Sequence, residues 1–536
     1  MISELLPSTE STTTRRAWLV VAGWIVAAFV GRLLLSALVP LLPDETYYWE
    51  WTRRLAPGYF DHPPGIALLI SAGVGVLGNT LSGVRAGPAV AALATHLVAV
   101  FLAWSLGGRQ RDGAQAAVRA AILVALLPIG AIGLVPATPD AALFACAMLV
   151  LACVERALAS PLRSSRSTGW WICAGVALGA ALIAKYTAVL LPAGLLLACL
   201  LHPALRARFR EAGPWLATAS AALMISPVVV WNAANEWISV RFQLGHGFGA
   251  VARGHPINRE LELVGGQLGL ASPIIFALLV ATVLLALRDG WRTRGQTHPT
   301  DPRARRFALG LMTLVTFAFF AMSAWRRTVE PNWPALIYPS AIALLASSPA
   351  PWARARAWRS GLVLAAVLLV AATLQAWRPL LPIPARNDPF GRAHGWETLA
   401  TAVDAARIDP FLAGTTEQWV AADRYQDASE LAFHLAGQPV VFSLNLGGRS
   451  NQYDLWPTAY DKMRPGEGLV AVFDANPHGD ALATRVGSWF ETRKRGETVR
   501  LTRGDGVITE RRIWSYRIAR NVPPPPDHRP TLSDSR

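Results

Sequence analysis

Long apolar runs separated by short polar connections fill roughly the first 380 residues, with runs near 17–40, 82–106, 115–134, 139–158, 169–184, 186–201, 214–231, 264–287, 307–324, 334–349 and 360–377. A helix crosses a hydrocarbon core with about 20 such residues, so the pattern predicts about eleven transmembrane helices. The stretch 63–77 is also apolar but short; its glycines and the Pro63-Pro64 step before it predict a helix lying at the interface of the first outer loop. Beyond residue 386 the long runs stop. A helix-like stretch at 396–406 and strand-like runs at 439–444, 468–473 and 513–519 predict a small α/β domain over 386–521, followed by a proline-rich, disordered tail at 522–536.

Composition identifies the solvent. The chain of 536 residues is 53% hydrophobic and 16% charged, against roughly 45–50% and about 25% in soluble proteins. The fold class is therefore an all-α polytopic membrane protein, its membrane domain spanning 17–380, with a small α/β domain attached. With residues 1–16 on the cytoplasmic side, the inner loops hold Arg15-Arg16, Arg109/Arg111/Arg119, Arg156/Arg163/Arg166, Arg206/Arg208/Arg210, the 288–306 cluster and Arg354/Arg356/Arg359. Every inner loop is then basic, as the positive-inside rule requires. The net charge of +15 is thus a mark of topology. Arginines dispersed among short loops form no single patch, which excludes a nucleic-acid partner. The first span has a basic flank but no small-residue cleavage site after it, so it is expected to stay attached. Cys146, Cys153, Cys173 and Cys199 all fall in predicted spans, leaving no disulfide framework and no zinc spacing.

This topology sends most of the unusual polar residues to the outer side: Asp44-Glu45, Asp61-His62, Asp140, Lys185-Tyr186, His246, Arg253, Arg326-Arg327 and Tyr338. A carboxylate pair at the mouth of a span is costly unless used. Asp44 reads either as the N-cap of an interfacial helix or as a general base, with Glu45 orienting or assisting it. Tyr47, Tyr48 and Trp51 fit an aromatic belt, and Tyr47 and Tyr48 are also candidates to bind the substrate. Asp61-His62 before two prolines is either an ordinary turn or a rigid presentation of two polar groups, His62 donating to a phosphate and Asp61 holding it or binding a metal. Asp140, after Pro139, is a helix-terminal cap or an active acid. Lys185 marks a hairpin turn or, with Arg253 and one of Arg326/Arg327, binds a phosphate or diphosphate. His246 lies in a glycine-rich loop that lacks a nucleotide-binding register. A transporter or flippase would place its ionisable groups near the midplane; a surface enzyme fed by a lipid-linked substrate would place them here.

The order Asp44-Glu45-x-Tyr47-Tyr48, Gly58-Tyr59-Phe60-Asp61-His62-Pro63-Pro64, Thr138-Pro139-Asp140, Lys185-Tyr186-Thr187, Phe242-Gln243-x-x-His246 and Pro331-Asn332-Trp333-Pro334-Ala335-x-x-Tyr338 resembles the bacterial family 39 glycosyltransferases, relatives of the protein mannosyltransferases and aminoarabinose transferases. The resemblance implies a GT-C membrane fold in the bacterial inner membrane. It implies transfer of a sugar, with inversion, from a polyprenyl-phosphate donor to a lipid, glycan or protein acceptor on the periplasmic side. It makes Asp44 the catalytic aspartate and Asp140 a second acidic position, and it assigns Lys185 and Tyr338 to the carrier phosphate. His246 and Asp61 fall near positions that bind a metal in some relatives, so a divalent metal is the one cofactor it brings in. Aminoarabinose transferases have a lysine before the paired prolines where this chain has His62, a departure that bears on the phosphate contacts and on the sugar. The segments Asp423-Arg424-Tyr425-Gln426 and Arg449-Ser450-Asn451-Gln452-Tyr453-Asp454-Leu455-Trp456 also resemble bacterial members of the group.

Overall fold

The computed structural model describes residues 12–108, 111–249, 254–295, 298–349 and 356–520. Among these, eight helices are long and apolar enough to cross a membrane, and a ninth span arises if the pair Tyr186–Leu201 and Pro203–Arg210, bent by 112°, counts as one. Two shorter helices, Arg111–Leu126 and Tyr338–Ala346, occupy the other positions where the apolar pattern predicts spans. Leu127-Pro128 ends the first of these early, because proline supplies no N–H to continue a helix. The expected 264–287 span is corrected: Pro256–Ala271 and Pro273–Thr293 are separate helices, divided at Ser272, whose φ of 64° and following proline interrupt the ladder. Gly65–Leu77 forms the predicted short helix; its 13 residues reach about 20 Å at 1.5 Å per residue, too little to span.

Small residues let the long helices approach closely. A Cβ on Gly175 would sit 2.2 Å from the Ala217 carbonyl oxygen, and one on Gly179 would sit 2.3 Å from Met224 Cβ, so Ser165–Ala184 and Gly213–Ala234 pack nearly backbone to backbone. In a bilayer this contact replaces the hydrophobic drive that water would supply.

The helix ends sort into two groups. Arg119, Arg208 and Arg306 bond carbonyls at one end of the bundle. The other end gathers the C-terminus of Thr12–Leu38, the Pro43–Thr52 helix and the N-terminus of Leu81–Gly107. There Glu45, fully buried, accepts from Arg85 at 2.7 and 2.5 Å, from the Ala137 N–H at 2.7 Å and from the Leu42 N–H at 2.9 Å. Arg85 donates onward to the carbonyls of Ser36, Val39 and Pro40. One ion pair thus ties four chain segments together.

Past Trp377 the chain builds a five-stranded mixed sheet in the order β2-β1-β3-β5-β4, with β1 Gln418–Ala422, β2 Val441–Ser443, β3 Gly468–Asp474, β4 Phe490–Arg503 and β5 Gly506–Ala519. β1, β2 and β3 run parallel and β5 antiparallel to β3. The three strand-like runs and the 396–406 helix of the sequence pattern recur here; β1 and β4 are additions, as are helices Tyr425–His434 and Pro477–Gly487. This layer docks on the Pro43–Thr52 helix. Thr46 meets Ser429 at 3.2 Å, Arg53 donates to the carbonyls of Gln438 and Pro439, and Trp49 packs edge-on against Phe433.

Replacing Arg85 by Met strands a buried carboxylate, which costs about 3–5 kcal/mol. Arg85→Met is therefore expected to melt well below the parent in detergent, and Glu45→Gln in the same chain to restore part of the loss. Equal melting temperatures for Arg85→Met and the parent would remove the brace from this account.

Candidate active site

The Pro43–Thr52 helix presents the site. Pro43 occupies its first position and Leu42 its N-cap, and the Glu45 carboxylate accepts the cap N–H. Capping therefore falls to Glu45, which corrects the alternative reading of Asp44 as the N-cap. The Asp44 carboxylate, in the first turn, makes no hydrogen bond or ion pair with any described residue. Its pKa lies above the ordinary aspartate value. Burial is the main cause; Arg392 and Arg449 pull it back down, and Asp61 and Glu45 push it further up. Glu45, expected among the catalytic residues to orient or assist Asp44, has both oxygens doubly occupied by Arg85 and two backbone N–H groups, so its observed contribution is to brace the helix that carries Asp44.

Asp61 anchors a second cluster. Its Oδ2 accepts from the Tyr47 hydroxyl at 2.5 Å and its Oδ1 pairs with Arg449 at 3.0 Å. Tyr47 in turn accepts the Gln452 N–H at 2.7 Å, and Gln452 Oε1 accepts the Phe60 N–H at 2.7 Å. Gln243, on helix Ile238–Phe248, donates to the Asp61 carbonyl and lies 3.4 Å from His62 Nδ1. The rigid Asp61-His62-Pro63-Pro64 turn is thus held from the membrane side by Gln243 and from the outer layer by Arg449.

The third cluster centres on Asp140, in the first turn of Pro139–Ala159. Its Oδ1 pairs with Lys185 at 2.8 Å and its Oδ2 accepts from Asn332 at 2.8 Å. Lys185 sits where Ser165–Ala184 gives way to a 3-10 turn, which aims its side chain across the helix end. Tyr48 links the clusters. Its phenol lies in electrostatic range of Asp44, Asp61 and Asp140; burial first, then these charges, hold its pKa well above 10.

The remaining expected residues are more dispersed in role. Tyr186 accepts from Asn232 at 3.0 Å and lies 3.2 Å from the Ser239 hydroxyl, tying in the Ile238–Phe248 helix. Arg327 bonds the Gly245 carbonyl of that helix at 2.8 Å, while Arg326 is exposed. Tyr338 is buried with its hydroxyl on Gln267 at 3.0 Å, and Gln267 also bonds the Pro331 carbonyl, so Tyr338 supports the loop that bears Asn332. Arg253 and the His246 side chain lie outside the described residues. Among the described residues no three His, Cys, Asp or Glu side chains gather as ligands. Asp61 is an ion-pair partner of Arg449, and the His246 half of the expected metal pair lies outside the described residues, so no chemical step is routed through a metal.

Arg85, Arg392, Tyr425 and Arg449 carry charge or hydrogen bonds into the site and were not among the expected site residues. Arg449 lies in a segment that the sequence resemblance had marked without a role. Arg85 had one available signal: an arginine near the start of an apolar run needs a partner.

The chain is similar to known proteins in sequence and in overall fold. Residues 61–231 fit the family model described as dolichyl-phosphate-mannose-protein mannosyltransferase. The chain is 26% identical over 349 residues to the lipid A galacturonosyltransferase RgtD of Rhizobium johnstonii, covering 63% of this chain and 67% of that protein. It superposes on ArnT from Cupriavidus metallidurans in the apo state with a TM-score of 0.60 at 16% identity, covering 94% of this chain and 98% of ArnT. ArnT bound to undecaprenyl phosphate gives a TM-score of 0.57 at 16% identity over the same shares. The helical bundle and capping sheet layer of this chain thus have the fold of ArnT, and the membrane-domain segment 61–231 is similar to the mannosyltransferase family, in a multi-pass membrane protein.

Proposed function

We propose that the protein transfers a sugar from a polyprenyl-phosphate donor to a lipid, glycan or protein acceptor in one inverting displacement, with Asp44 as the base. The observation that carries this reading is a division of labour among the acids. Glu45, Asp61 and Asp140 are each spent on a cation or a hydrogen-bond network, and Asp44 alone is left without a described partner. Burial raises its proton affinity, which brings an aspartate closer to the range useful for accepting a proton. An acceptor hydroxyl attacks the anomeric carbon while the bond from that carbon to the phosphate oxygen breaks. The phosphate leaves with the electron pair and Asp44 takes the hydroxyl proton.

A phosphate is already a stable leaving group, so the site needs cations and no acid. Lys185 spends one ammonium hydrogen on Asp140, and an ammonium has three, which leaves donors for the phosphate; Arg326 and Arg253 are further candidates. The structure of ArnT bound to undecaprenyl phosphate supports the choice of carrier. Leu68, Val76 and Leu77 on the short Gly65–Leu77 helix are exposed, an apolar flank along which a prenyl tail could approach.

The arginine-rich loops lie at the bundle end away from the site. By the positive-inside rule this supports an active site and a 386–521 domain on the periplasmic face of the bacterial inner membrane. The same gathering at one end favours transfer over transport by a flippase, which would need ionisable groups at the midplane.

General-base removal lowers rates by about 10²–10⁴-fold, so Asp44→Asn is expected to lose at least about a hundredfold in release of free polyprenyl phosphate from a panel of lipid-linked sugars. An Asp44→Asn enzyme as fast as the parent would end this reading. Because the base must be deprotonated and its pKa is raised, the rate should fall with decreasing pH at values above the ordinary aspartate range. A pH profile of kcat/KM measures this, and an acid limb at or below that range counts against Asp44. Lys185→Met should raise KM for the donor by about tenfold or more, the loss of one charge-assisted contact, and an unchanged donor KM would take Lys185 off the phosphate.

A further inference from the structure

The arginine-rich end of the bundle, away from the acids, holds a cavity of about 150 Å³. A void of that size takes a molecule as large as benzene. Its wall is built where helices end: Leu106 and Gly107 close the Leu81–Gly107 helix, Arg306 lies near the start of Pro302–Ala324, and Ser347 and Ser348 follow Tyr338–Ala346. The ends of spans lie at the depth of the lipid headgroups. Two arginines from different helices line the cavity, Arg119 and Arg306. Arg119 donates to the Ala346 carbonyl at 3.0 Å and to Gln115 at 3.2 Å. Arg306 spends Nη2 on the carbonyls of Leu106 and Ser347, at 3.3 and 2.7 Å, while its Nη1 and Nε make no hydrogen bond with any described residue. Bonds to these carbonyls cap helix ends, which is a structural use for one nitrogen of Arg306, but a carbonyl brings no full charge to balance a guanidinium. No described carboxylate pairs with Arg306 either. Glu155, the acid whose charge reaches it, is taken by Arg305 and accepts from the Ser105 hydroxyl. Asp112 also lines the cavity, yet it is exposed and makes no ion pair with any described residue.

We infer that this cavity binds a phosphate group, with Arg306 Nη1 as a donor and Arg119 as a second positive charge. A phosphate oxygen brings the counter-charge that Arg306 lacks and accepts a charge-assisted hydrogen bond. Basic pockets between membrane helices at headgroup depth recognise anionic lipids in this way. The group belongs to the headgroup of an anionic phospholipid or to free phosphate, and its chemistry at the two arginines is the same. Asp112 opposes it, as a like charge on the same wall. The site lies at the far end of the bundle from Asp44 and stands apart from sugar transfer.

The test uses the full-length protein, stripped of lipid in detergent, with bound lipid counted by native mass spectrometry. The probes are dioleoylphosphatidylglycerol, dioleoylglycerol as the control without phosphate, and inorganic phosphate as a competitor. The parent should hold phosphatidylglycerol about tenfold more tightly than dioleoylglycerol, the worth of one charge-assisted hydrogen bond. Arg306→Gln, whose amide still serves a carbonyl, should lose most of that preference. Asp112→Asn changes an exposed side chain without a described partner, so it should fold as the parent does and bind phosphatidylglycerol severalfold more tightly, a repelling charge having been removed. Displacement of the lipid by inorganic phosphate assigns the site to free phosphate; lipid that resists displacement assigns it to a headgroup. A parent with no preference, a preference that Arg306→Gln keeps, or an Asp112→Asn protein that binds no more tightly than the parent overturns the proposal. If Arg306→Gln fails to fold, the Asp112→Asn comparison decides alone.

Discussion

The Glu45–Arg85 ion pair is the contact on which the rest of the site end is built. Both side chains are almost wholly removed from solvent, where an ion pair holds only if its remaining donors and acceptors are also satisfied. They are satisfied by backbone: Arg85 takes the carbonyls that end the first long helix, and Glu45 takes the N–H groups of Leu42 and Ala137. The pair therefore sets where the Pro43–Thr52 helix begins and how it lies against the Leu81–Gly107 helix and the approach to Asp140. Asp44 inherits its position from its neighbour. A carboxylate one residue further along would have been consumed by the brace.

The same helix is the floor on which the sheet layer rests. Tyr47 points one way to Asp61 and accepts from Gln452 of the outer layer, while Thr46 and Arg53 carry the rest of the dock. Glu430 is buried beneath this dock beside Glu45; burial first, then Glu45 and Asp427, raise its pKa well above the usual glutamate value. The layer that packs there thus raises the proton affinity of a carboxyl that lies in electrostatic range of Asp44. The outer layer is in this sense part of the electrostatics of the site, through Glu430, Arg392 and Arg449 together.

Much of this architecture is legible along the chain. Apolar runs name the spans because a bilayer demands some 20 such residues in a row, and inner-loop arginines orient them because topology leaves its own charge record. The sequence reading failed where local pattern and tertiary packing part company. Ser272 with φ 64° divides what reads as one run, and β4 is a long strand whose residues are mostly exposed and half of them charged, so it lacks the alternation that marks a half-buried strand.

The sequence by itself determined the membrane solvent, most of the apolar helices and the list of candidate acids and cations, because each follows from residue type and order alone. Tertiary structure decided which of those acids are spent and which is free. Glu45 and Asp44 are adjacent and chemically alike, and only the arrival of Arg85 from 40 residues away distinguishes the paired carboxylate from the unpaired one. Arg449 meets Asp61 across nearly 400 residues of chain for the same reason: pairing of charges depends on distance in space, and no spacing along the sequence records it.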